Sequence, residues 1–179
     1  MAVSIEDIKK LRAMTGAGLA DVKKALTEAE GDFYKAKDLL RERGLAIAAK
    51  RSDRETSNGC VLVKSVNGFA ATIALKCETD FVANGADFIK LTSDILDAAI
   101  AAKAHTLDEV KALALGEGDV QAAVTQRSGI TGEKMELDGY NVLEGDNIEV
   151  YDHMGKHTLC TMVQLNQENA EVGHKIAMQ

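Results

Sequence analysis

The chain has 179 residues, 46% hydrophobic and 27% charged, with a formal net charge of −7. This length suits one compact domain or two small ones, and the composition is that of a folded protein rather than a disordered one. The net charge lacks the excess of Lys and Arg that a broad nucleic-acid surface needs to displace counterions, so nucleic acid is not expected as a partner. No apolar run approaches the roughly 20 residues of a membrane span. The N-terminal run Ser4-Ile5-Glu6-Asp7 carries neither the basic nor the apolar region of a signal peptide, which points to the cytoplasm and away from a membrane. The three cysteines, Cys60, Cys77 and Cys160, form no CxxC pair and suggest no disulfide framework.

The first 44 residues read as three short helices. Ser4 and Asp7 make a capping-box-like start, and Ile5, Ile8 and Leu11 recur on one face. Thr15-Gly16-Ala17-Gly18 breaks the pattern, and Leu19, Val22, Leu26 and Ala29 form a second stripe. Asp32 is an N-cap for a third helix carrying Phe33, Ala36, Leu39 and Leu40, and Gly44 is placed to stop it, although Ala46 to Ala49 also suit a helix. Helices this short must pack as a bundle to be stable. Lys50, Arg51, Ser52, Asp53 and Arg54 suit a solvated linker, and a domain boundary is expected near Arg54.

A hairpin follows: residues 60–66 and 69–78 are β-rich, and Asn67-Gly68 between them is a strong type I′ turn signal. A two-residue turn there sets Val66 opposite Phe69 and Cys60 opposite Leu75, which offsets Cys60 from Cys77. Thr79 to Gly85 reads as a loop. Phe88, Leu91, Ile95, Ala98, Ala99 and Ala102 mark a long helix, Thr106 and Glu109 a capping box, and Asp119 the cap of a further helix ending near Gly129. Met135 and Leu137, then Ile148 and Val150, alternate as strands. A turn around Gly155 leads to a strand over 158–165, and a helix begins at Ala170. Val61-x-Val63 before Gly68 and Ile148-x-Val150 before Gly155 suggest a faint repeat of hairpin followed by helix. The fold class expected is α+β.

Two segments carry a resemblance. The run from Ile8 to Leu26, with Leu11-Arg12-Ala13-Met14-Thr15-Gly16-Ala17-Gly18 followed by Asp21, Lys23, Ala25 and Leu26, resembles the N-terminal helical module of the elongation factor Ts family. Cys77-Glu78-Thr79-Asp80-Phe81-Val82-Ala83 looks like that family's core loop, and 44–54 like its basic connector. The resemblance implies a three-helix, ubiquitin-associated-like module and linker over 1–54, a first core subdomain with the exchange loop over 55–140, and the start of a second over 141–179. The second hairpin-plus-helix unit is then incomplete, as in a C-terminally truncated form.

It also implies a translation elongation factor that binds elongation factor Tu and promotes GDP release. That is a guanine-nucleotide exchange factor with no catalytic residue, metal site or cofactor of its own. Thr79, Asp80, Phe81 and Val82 would carry the disturbance of the partner's Mg²⁺ site, and Leu11, Leu19, Val22 and Lys23 are candidates for the docking face. A homodimer is compatible with the resemblance. Taken alone, Phe81 reads as a core residue opening the next helix and Asp80 as an N-cap. The stripe Leu19, Val22 and Leu26 reads as bundle core, and part of it must remain so in either reading. Two rival functions stand beside this one: a ubiquitin-associated-like adaptor without exchange activity, and a thiol or hydrolytic enzyme built on Cys77, His105 and Asp80, for which no spacing argues. His153 and His157 bracket the Gly155 turn without a third metal ligand and read as solvated.

Overall fold

The computed structural model describes residues 3–179. The chain divides into two compact units, one of Met1–Arg54 with Thr125–Lys134, the other of Glu55–Val124 with Met135–Gln179.

The first unit is helical. Helix α1, Ile5–Thr15, starts at Ser4, whose Oγ accepts from the Asp7 N–H at 2.9 Å, and stops at Gly16 in the left-handed conformation, φ 68°. Helix α2 spans Leu19–Glu28, and Asp32 caps α3 by accepting from the N–H groups of Tyr34 and Lys35 at 3.0 Å each. Leu11, Val22, Ala25, Leu26 and Ala36 are fully buried and form the core between these helices. The expected stop at Gly44 does not occur: α3 is continuous over Phe33–Ala49. A glycine inside a helix costs about 1 kcal/mol against alanine, so its presence calls for a packing reason. Gly44 lies against Gly129, backbone to backbone.

The second unit is built on a three-stranded antiparallel sheet in the order β1-β2-β5, with β1 Asn58–Val66, β2 Phe69–Cys77 and β5 Met135–Glu144. The Asn67-Gly68 turn forms as expected, both residues at positive φ, and sets Val66 opposite Phe69 and Cys60 opposite Leu75. Phe69, Ala71, Ile73, Leu75 and Cys77 point from the central strand into one core, with Phe88, Ile95 and Ala99 of α5, Ala86–Ala102, packed on it. On the reverse face β2 carries small residues, Ala70, Thr72 and Ala74. The pairing with β5 shifts register at Ala74, where Gly139 leaves room that a Cβ would fill, 2.7 Å from the Ala74 Cβ.

Short elements follow: α4 Asp80–Ala83, α6 Leu107–Ala112, the β3–β4 pair at 114–115 and 118–119, and α7 Val120–Thr131, whose residues from Thr125 on belong to the first unit. The capping box at Thr106 and Glu109 forms, and Asp119 accepts from the Ala122 N–H at 2.7 Å. α7 runs past Gly129 and gives way at Gly132, φ 72°. A second hairpin, β6 Ile148–Asp152 and β7 Cys160–Gln164, leads into α8, Ala170–Ala177. It is tied to the outer edge of β1, where the Val61 N–H donates to the His157 carbonyl at 2.7 Å. Residues 140 and 141, the expected subdomain boundary, lie inside β5. Gly145 and Asn147, in the turn between β5 and β6, are both at positive φ. No helix among the described residues is long and apolar enough to cross a membrane.

Residues 50–54 follow the end of α3 as largely exposed turns whose backbone hydrogen bonds include, beside two of 3.1 Å from the Arg51 and Arg54 N–H groups, two long ones, 3.3 Å from the Lys50 N–H and 3.5 Å from the Ser52 N–H. Bonds of this length open readily. Limited trypsin treatment is therefore expected to cut first at Lys50, Arg51 or Arg54, read by mass spectrometry of the early fragments. First cuts at Lys23, Lys24 or Lys35 would contradict this.

Candidate functional site

The segment expected as a loop, 79–85, is a single capped helical turn. β2 ends at Cys77, whose Sγ–H donates to the Thr79 carbonyl at 3.2 Å. The Asn58 side-chain amide holds the Glu78 carbonyl at 2.9 Å. Thr79, rather than Asp80, is the N-cap: its Oγ1 accepts from the Val82 N–H at 3.4 Å, and its carbonyl accepts from the Ala83 N–H at 3.1 Å. Asp80 is the first helical residue, and its carbonyl receives the Asn84 side-chain amide at 2.8 Å. The turn is thus closed by its own hydrogen bonds and rooted in the central strand.

Within it the side chains divide. Ala83 is buried and Val82 is half-buried against the sheet core. Thr79 and Asp80 are exposed. Phe81 is 85% exposed, the most exposed large apolar side chain among the described residues. The expectation from burial habit, that Phe81 opens the next helix as a core residue, does not hold. Phe88 takes that place, at 2% exposure. Burying a Phe contributes about 1.5–3 kcal/mol, a contribution that an ordered turn presenting Phe81 to solvent forgoes.

The four docking candidates separate in the same way. Leu11 and Val22 have no exposed surface and are bundle core, so they cannot touch a partner without unfolding the unit, and their assignment to a docking face is corrected. Leu19, 58% exposed, and Lys23, exposed, remain on the surface of α2. Met14, 53% exposed at the end of α1, joins them as an apolar residue that the stripe analysis missed. Its signal is its place one step before Thr15-Gly16-Ala17-Gly18, where the chain must turn and α1 can no longer cover its own end.

The enzyme alternative has no assembled site. Cys77 is buried at one end of β2, while the exposed His105 stacks edge-on against Phe69 at the other, with ring centroids 5.8 Å apart. Phe69 and Cys77 are the first and last residues of a nine-residue strand, a span of about 26 Å at the usual rise. Cys60 and Cys160 are held protonated by burial, which lifts their thiols to about 11 and about 12. His157 is not a freely solvated turn residue as expected: half-buried, its Nδ1 lies 2.6 Å from Asp152. No group of three His, Cys, Asp or Glu residues suited to a metal occurs among the described residues. A polar cleft of about 320 Å³ is lined by Ser65, Asp146, Glu149, Glu168 and Asn169. Its carboxylates disfavour a nucleotide's phosphates.

The Elongation factor TS family profile matches residues 78–179. The match begins at the residue that leads into the capped turn. The chain belongs to the elongation factor Ts family. It is 63% identical to elongation factor Ts of Parabacteroides distasonis over 179 residues, the whole of this chain and 54% of that protein. To that of Bacteroides fragilis it is 63% identical over 180 residues, again the whole chain and 54% of the relative. To that of Porphyromonas gingivalis it is 49% identical over 181 residues, the whole chain and 66% of the relative. The chain thus spans about half the length of the first two relatives.

Two outcomes follow from the burial pattern. Phe88→Ala is expected to cost about 3–5 kcal/mol in a denaturant melt, the range for a buried Phe, whereas Phe81→Ala should lie within about 0.5 kcal/mol of the parent. Comparable losses for both would place Phe81 in the core. The raised thiols give a pH dependence. Because Cys60 and Cys160 ionise later folded than unfolded, their contribution is complete below about pH 8.5 and is lost as pH rises toward 11–12. Melts from pH 8 to 10.5 should show stability falling, less steeply in Cys60→Ala; equal slopes in the two proteins would remove this cause.

Proposed function

We propose that the chain acts as a guanine-nucleotide exchange factor, binding the GDP-bound form of elongation factor Tu and promoting GDP release in the cytoplasm. The observation that carries this reading is Phe81: an exposed aromatic on a rigid, self-capped turn, inside the stretch that resembles the family's exchange loop. An aromatic ring brings a large apolar surface to a partner pocket and has few rotors to freeze. The β2 terminus and the Thr79 cap hold the turn in place, so little ordering entropy is lost on insertion.

In this reading Thr79, Asp80, Phe81 and Val82 disturb the partner's Mg²⁺ and phosphate contacts, on which a GTP-binding protein relies to hold its nucleotide. Leu19 and Lys23, with Met14 beside them, supply the docking contacts of the helical unit. The action is by binding, with no covalent step. Linkage then makes the effect reciprocal: the factor weakens GDP by the same ratio that GDP weakens the factor. After GDP departs, GTP rebinding displaces the factor by the same relation.

The test is release of a fluorescent GDP from elongation factor Tu, with and without this chain. The chain is expected to accelerate release, and Phe81→Ala to slow the accelerated rate at least about tenfold, equivalent to about 1.4 kcal/mol. Leu19→Ala combined with Lys23→Ala should raise the concentration of factor needed while leaving the saturating rate nearer its parent value. Binding to elongation factor Tu without any acceleration would favour an adaptor role instead.

A further inference from the structure

Residues 125–134 belong to the helical unit although they lie about 70 residues beyond its linker. At three places the contact between this segment and the first 54 residues falls on a glycine. A Cβ built on Gly129 would lie 2.7 Å from the Gly44 carbonyl carbon and oxygen, and nearer still to its Cα, so α7 meets α3 there with no side chain between the backbones. A Cβ on Gly16 would find Ile130 Cδ1 and Arg127 Nη1 at 3.6 Å, and one on Gly132 would find Arg51 Nη2 at 3.6 Å. Ile130 therefore lies over the turn that separates Met14 from Leu19. Ser128, 3% exposed, donates to the Glu133 carbonyl at 2.5 Å and closes the end of α7.

We propose that residues 125–134 clamp the helical unit and that Gly129 is a positioning residue for its docking edge. By admitting the α3 backbone at Gly44, Gly129 fixes how deep α7 sits. That depth fixes where Ile130 presses on the Thr15–Gly18 turn. What is positioned, the Met14–Leu19 edge, rests on the docking reading proposed above; the clamp itself does not.

The crossing is asymmetric, which makes it testable. Both glycines are inside helices, so helix propensity alone predicts that alanine at either site stabilises, by about fivefold in the local opening equilibrium. Packing predicts opposite signs. A Cβ on Gly44 would meet the Gly129 Cα at 3.5 Å, an ordinary contact, whereas a Cβ on Gly129 overlaps Gly44 backbone that cannot swing aside.

The experiment is amide hydrogen exchange on the full chain and on the variants Gly44→Ala and Gly129→Ala. Gly129→Ala is expected to lower protection at least about tenfold in 44–50, 126–131 and 15–18. The β2 amides should keep their parental rates, and Gly44→Ala should keep or raise protection throughout. Unchanged protection in Gly129→Ala, loss in both variants alike, or loss that extends through β2 would each overturn the clamp. Equilibrium binding to elongation factor Tu then reads positioning. Weaker binding by Gly129→Ala alone supports it, and parental binding by a variant whose clamp has loosened overturns it. If the parent chain itself does not bind, the docking reading fails, and the amide data alone decide the clamp.

Discussion

The pairing of β2 on both of its edges governs the geometry of the sheet unit. β1 and β5 flank it along its full length, and Phe69, Ile73, Leu75 and Cys77 anchor one face to α5. A central strand fixed in this way cannot slip by one residue without turning its whole apolar face to the solvent side. The point at which the chain leaves the sheet, Cys77, is therefore set by the core. From there the Thr79 cap allows a single helical turn before α5 begins, and Phe81 takes its direction from that turn. Its exposure is thus a consequence of the register of β2 and of the cap, not of a loose loop.

Much of this frame was legible in the sequence because its signals are local. Asn67-Gly68 names a turn by its backbone requirement, and Thr106 with Glu109, Ser4 and Asp32 name helix starts by the donors they satisfy. What local signals could not convey was which of two partners claims a residue. Leu11 and Val22 stand on apolar stripes, and a stripe says that a face is buried without saying against what. The bundle core took both, while Leu19 and Met14, at the ends of their helices, were left to solvent, as Ile5 and Tyr34 were. Thr79 to Gly85 looked like a loop because one helical turn is too short to display a period.

Gly44 shows the same limit from the other side. A glycine after a helical stretch has two readings, a left-handed stop or a close approach of another backbone, and they differ only in what lies across from it. Here the answer lies 85 positions away at Gly129, which no local pattern reports. Gly16, at φ 68°, serves both purposes: it ends α1 and leaves space under Ile130. The domain boundary at Arg54 was read from a run of charge, a signal that speaks only for the neighbouring stretch of chain. That residues up to Arg54 group with 125–134 follows from tertiary packing alone.

The two candidate contact regions face different physical demands. On the helical unit, Met14 and Leu19 are exposed, and the core beneath the surface mixes Leu11, Val22 and Leu26 with Ala25, Ala29 and Ala36 to bring three short helices together. Such helices have little stability apart from their packing, so any change in how they pack moves the surface they present. Phe81 instead stands on a turn whose backbone bonds are satisfied within 79–85 and whose Val82 and Ala83 reach into a large core. Its position is insensitive to all but the loss of that core. In the proposed reading, a substitution that loosens the helices and one that removes the Phe81 ring would therefore act by separate routes: the first would change how often the docking edge has the right shape, the second would remove the inserting group. The packing of the sheet unit holds a solvent-exposed aromatic in place, and in the proposed clamp the helical unit's modest core is completed by its own distant segment, 125–134.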